Sequence, residues 1–205
     1  MRIILLALCI GLAPMTSHAT THGRGPSGGW AQDFAQTPAT PDQMLRQGLD
    51  RLIGYLIGAG NPSPDALRTF LSQEIAPYFD FTYMAQWAAG PLYRRLTPNQ
   101  HHRLAEKLEI MFLDALARNL GSYARPLPQI QIFPARAGAG GNEATVDIRV
   151  ITDAGGMVHL QFRCYWGGGG WKIYDVSANG ASAVAFYRGY FTTLIRRYGP
   201  EAALR

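Results

Sequence analysis

The sequence predicts an α+β fold: a run of helices, then a curved antiparallel four-stranded sheet, then one closing C-terminal helix. Three observations predict it. Helix-start signals recur at Thr40-Pro41-Asp42, Ser63-Pro64-Asp65 and Thr97-Pro98-Asn99, each ahead of apolar residues at helical spacing. After Tyr123 the apolar period falls to two. From Ser182 onward the spacing is helical again.

The N-terminus precedes this pattern. Arg2 leads into an apolar run from Ile3 to Ala13, roughly ten residues and too short to span a bilayer. Ser17-His18-Ala19 then supplies the small residues of a cleavage site. Residues 1–19 are expected to be a secretory signal peptide cut after Ala19, and the mature chain to be periplasmic. Residues 20–39, rich in Gly, Ser, Thr, Pro and Gln, read as a flexible leader. Residues 40–199 are expected to form a single domain, and 200–205 a tail.

The first helix carries Met44, Leu45, Leu49, Leu52, Ile53, Leu56 and Ile57 and stops at Gly58-Ala59-Gly60-Asn61. The second carries Leu67, Phe70, Leu71 and Ile75. A short third helix is expected from Asp80, its cap, to Ala89, closed by Gly90-Pro91. The fourth carries Leu104, Leu108, Met111, Phe112, Ala115 and Leu116. The strands then alternate: Ile130 and Ile132; Val146, Ile148 and Val150; Val158, Leu160, Phe162 and Cys164; and Ile173 to Ala178. The closing helix carries Val184, Phe186, Tyr187, Phe191, Leu194 and Ile195.

Composition bounds the function. The 205 residues are 47% hydrophobic and 16% charged, with net charge +5. That charge is spread thinly, without a run of five Lys or Arg, and does not argue for nucleic acid. With the signal removed, Cys164 is the only cysteine, so no internal disulfide is expected. His101 and His102 are neighbours, about 100° apart on a helix, and His159 stands alone on a polar strand face. No metal or other cofactor is expected. Gly167 to Gly170 sits between two strands rather than before a helix, so it reads as a hairpin tip and not a phosphate loop. Asp175 could serve as a base only if it lined a cavity; otherwise it is a solvent-facing or salt-bridged strand acid. The large side chains around Phe79 to Trp87 exceed what a short helix needs for its own packing, which suits an apolar cavity between helices and sheet.

Two runs carry a family resemblance. One is Pro77-Tyr78-Phe79-Asp80-Phe81-Thr82-Tyr83-Met84-Ala85, with Gly90, Tyr93-Arg94, Thr97 and Gln100. The other is Trp171-Lys172-Ile173-Tyr174-Asp175-Val176, with Gly180, Ser182, Tyr187-Arg188 and Phe191. Together they resemble the MlaC, or toluene-tolerance, family over residues 40–199. The resemblance implies a cone-like fold with an apolar slot between sheet and helices, and a carrier rather than an enzyme. It implies a periplasmic phospholipid carrier beside an inner-membrane ABC transporter complex with a lipid-binding ring protein, and beside an outer-membrane lipoprotein complex, in the service of outer-membrane lipid asymmetry. A related branch is associated with hopanoid synthesis, so a hopanoid or other polycyclic lipid is an alternative cargo. Two readings lie outside transport: an exported cone-fold enzyme using Asp175 as base, and a structural partner with a closed core.

A lipid slot needs apolar surface and no catalytic group. Two acyl chains hold about 30 methylenes, and hiding them from water is worth about 24 kcal/mol gross. A membrane offers a similar amount, so transfer is close to neutral. The candidate lining is Phe81, Met84, Trp87, Leu108, Phe112, Ile148, Val150, Leu160, Phe162, Ile173, Val176 and Phe191, and each could equally be ordinary core. Arg188 could meet a lipid phosphate at the mouth, or pair with Asp175 or another acid. The doublets Arg94-Arg95 and Arg196-Arg197 could favour an anionic membrane or a partner, or be solvated helix ends.

Overall fold

Each expected helix start is built from the side chain that the sequence offers. The structure, a computed structural model, describes residues 40–120, 129–138, 140–151 and 156–204. The expected signal peptide and leader, residues 1–39, lie outside the described residues. Helix α1 (Pro41–Ala59) begins where the Thr40 hydroxyl accepts the Gln43 N–H at 3.4 Å, and ends at Gly60, whose φ of +69° is left-handed. Helix α2 (Pro64–Phe70) is capped by Ser63 and runs on through a π turn, Leu71–Ile75, and a 3-10 turn, Ala76–Tyr78. Helix α3 (Phe81–Ala89) starts at Asp80, whose carboxylate accepts the Tyr83 N–H at 2.8 Å. A 3-10 turn, Gly90–Arg95, leads to α4 (Pro98–Leu120). Its start is a reciprocal cap: Gln100 N–H donates to the Thr97 hydroxyl, and Thr97 N–H donates to the Gln100 side chain.

The sheet holds six strands rather than the expected four. They are β1 (Gln129–Ile132), β2 (Arg136–Ala137), β3 (Glu143–Ile151), β4 (Met157–Gly167), β5 (Gly170–Ala178) and β6 (Ala181–Ser182). The order is β1-β3-β4-β5-β6, with β2 also on β3, and every pairing is antiparallel. The two extra strands have two residues each, too short to show any alternation in the sequence. The glycine run is a two-residue hairpin turn: β4 ends at Gly167, β5 begins at Gly170, and Gly168 and Gly169 have φ of +63° and +88°.

One irregularity in β5 decides which residues share a face. Cys164 pairs with Ile173, but Arg163 pairs with Asp175, so Tyr174 is the extra residue of a β-bulge. Ile173 lies before the bulge and Val176 after it. Strict alternation would set them on opposite faces; the bulge puts both beside Cys164 and Phe162. Tyr174 and Asp175 fall on the other face, with Arg163.

The core fills the space between that face and the helices. Val146, Ile148, Val150, Leu160, Phe162 and Cys164 meet Leu104, Leu108, Phe112 and Leu116 of α4 and the buried stripe of α1. Burial pushes the Cys164 thiol up to about 12, which keeps it an inert packing group. Helix α5 (Ala183–Tyr198), capped by Ser182, packs on α3. The expected tail is not free of the fold: Pro200–Ala203 is a short helix, α6, with Ala203 and Leu204 buried and Glu201 paired to Arg103 at 3.0 Å. No described helix is long and apolar enough to cross a membrane.

Candidate functional site

An apolar cleft lies between α1, α4, the N-terminal end of α5 and the bulged face of the sheet. It holds about 880 Å³ of empty space, part of it continuous with solvent. From α1 it takes Met44, Leu45, Gly48, Leu49 and Leu52. The residues leading to α3 add Ile75, Tyr78 and Phe79, α4 adds Phe112 and Leu116, and the sheet adds Phe162, Ile173 and Val176. Ala183, Phe186 and Tyr187 of α5 complete it. No charged side chain is among them. Tyr78 and Phe79 are half-buried and Phe186 is 36% exposed, so the cleft reaches the surface at these rings.

Of the sequence candidates, Phe112, Phe162, Ile173 and Val176 line this cleft. Phe81 sits one layer behind, stacked on Phe79 at 5.5 Å and tilted against Phe112 at 5.8 Å. Met84, Leu108, Ile148, Val150, Leu160 and Phe191 are buried in the solid core and do not border the space. Trp87 and Arg188 border a separate groove with Tyr83, Tyr93 and Arg94.

Arg188 pairs with no acid among the described residues and lies outside the cleft lining. Its Nε and Nη2 donate to the Trp87 carbonyl at 3.1 and 2.7 Å. That carbonyl belongs to the last turn of α3, where helix geometry leaves acceptors unpaired and a cation is favoured. Arg188 therefore closes the C-terminal end of α3.

Asp175 takes the salt-bridged alternative, away from the cleft. It is 3% exposed and absent from the cleft lining. Oδ1 accepts the Val184 N–H at 3.0 Å, Oδ2 accepts the Ser182 hydroxyl at 2.7 Å, and Arg163 stands 3.6 Å away. Both oxygens are spent on the start of α5, so the base required by the enzyme reading faces no cavity. Among the described residues no three His, Cys, Asp or Glu side chains converge as metal ligands. His101 stacks on Tyr93 at 3.8 Å, His102 pairs with Glu106, and His159 with Asp147.

Sequence reasoning missed the whole contribution of α1, because an amphipathic helix over a void has the same pattern as one over solid core. One signal was present. Gly48 lies mid-helix, where glycine is unfavourable, and a Cβ there would stand 3.3 Å from the Tyr78 ring. Its absence lets α1 approach the ring that borders the cleft.

The architecture defines the class: a single-sheet α+β protein with an apolar cleft between one sheet face and the helices above it. A phospholipid-binding protein from Ralstonia solanacearum, solved in complex with a phospholipid, shares this fold. It is 24% identical, with a TM-score of 0.66 over 81% of this chain and 93% of that one. The family profile described as "MlaC protein" matches residues 58–205. This chain belongs to the MlaC family.

Proposed function

We propose that this protein is a periplasmic phospholipid carrier, exported by its N-terminal signal and cleaved after Ala19, that holds acyl chains in the apolar cleft. Its route runs between an inner-membrane ABC transporter complex with a lipid-binding ring protein and an outer-membrane lipoprotein complex. The observation that carries the reading is the lining itself. Sixteen of the described residues line the space, and the only polar side-chain atoms among them are two tyrosine hydroxyls. Such a surface suits hydrocarbon and gives an ionic substrate no partner. Family membership and the phospholipid held by the Ralstonia relative support the same reading.

Vesicle transfer tests it. Donor vesicles carrying a fluorescent phospholipid are mixed with unlabelled acceptors, and the protein is added in catalytic amount. Transfer is expected to rise in proportion to protein. A rate equal to the protein-free control would end the carrier reading.

A further inference from the structure

The cleft contains a polar group that the carrier reading does not use. Tyr187 is 4% exposed, and its hydroxyl has no hydrogen-bond partner among the described residues. No described side-chain oxygen is both sealed and unpartnered, so this hydroxyl is not sealed, and Tyr187 is one of the residues that line the cleft. Its ring is fixed on both sides, stacked on Phe191 at 6.1 Å and edge-on to Phe186 at 5.3 Å. Cargo that fills the cleft covers this phenol, and a covered, unpaired phenol is costly where phenylalanine would not be.

The chemistry of the missing partner follows from the surroundings. Burial pushes the Tyr187 phenol up to about 12, against a smaller opposing influence from Arg118. The group therefore keeps its proton at any working pH and can donate it. The lining has no Lys or Arg, and Arg118, the cation that acts on the phenol, is exposed and outside that lining, so the acceptor that enters the cleft with the chains is an uncharged oxygen. In a glycerolipid, the uncharged oxygen next to the chains is the ester carbonyl.

We propose that the Tyr187 hydroxyl donates a hydrogen bond to an acyl-ester carbonyl of the cargo, so that the cleft selects ester-linked lipids over ether-linked or purely hydrocarbon lipids of the same size. The inference rests on the carrier reading and narrows its substrate class.

The test is a competition. Protein is incubated with vesicles of equimolar diacyl and dialkyl phosphatidylglycerol of equal chain length, and the bound lipids are quantified by mass spectrometry. Wild type is expected to hold the diacyl species about fivefold over the dialkyl, the value of one neutral hydrogen bond. Tyr187→Phe is expected to bind both equally, at the wild-type dialkyl level. Equal binding of the two lipids by wild type, or a preference that survives in Tyr187→Phe, overturns the inference and leaves the carrier reading standing. Wild type that takes up neither lipid overturns both. Where Tyr187→Phe fails to fold, the wild-type ratio alone decides.

Discussion

Ala183→Trp is expected to cut phospholipid loading more than tenfold while the protein stays folded. Ala183 is the first residue of α5, 6% exposed, and its methyl borders the cleft. The Ser182 cap, which accepts the Ala185 N–H at 3.1 Å, fixes the backbone there without help from the residue-183 side chain. An indole at this point projects into space that cargo would fill and displaces about five methylenes, worth about 4 kcal/mol. If the chain reroutes and recovers half of that contact, the remaining loss still exceeds tenfold. Overpacking normally costs about 1–3 kcal/mol, but here the added ring enters a void. Lipid per protein after extraction, read beside a thermal melt, checks both halves. A folded variant with wild-type loading would show that acyl chains lie elsewhere.

Asp175→Ala is expected to have the largest effect on stability, about 3 kcal/mol. The carboxylate is buried and accepts from Val184 N–H and Ser182 Oγ, and the Ser182 hydroxyl in turn caps Ala185. Its removal strands a buried N–H, leaves Arg163 without its acid, and takes a negative charge from the positive end of α5. For a domain of this size the melting temperature should fall by about 6–12 °C. Loading measured well below the melt should be unchanged, because Asp175 does not touch the cleft. An unshifted melt would mean that the carboxylate does not hold the strand-to-helix junction together.

Much of the fold is legible because local chemistry repeats itself. Thr40, Ser63, Asp80 and Ser182 each announce a helix and each caps one, and Gly168 and Gly169 supply the positive φ that the hairpin needs. The bulge at Tyr174 is a different matter. Nothing in the alternation of β5 marks it, yet it alone brings Ile173 and Val176 to one wall. The cleft was only partly legible for a related reason. Periodicity says which face of an element is apolar, but whether that face meets side chains or empty space depends on the distance between layers. Met84 and Leu49 look alike in sequence; one is locked in solid core and the other borders the void. The contact of Arg188 was not legible because its partner is a backbone carbonyl at the end of α3, which no residue type can signal.

The most direct measurement is native mass spectrometry of the protein isolated from cells without detergent, followed by tandem dissociation of whatever it holds. The account predicts one phospholipid per chain, released as an intact diacyl species and absent from Ala183→Trp prepared in parallel. Wild-type protein that is uniformly lipid-free, and that stays so after incubation with phospholipid vesicles, would contradict it.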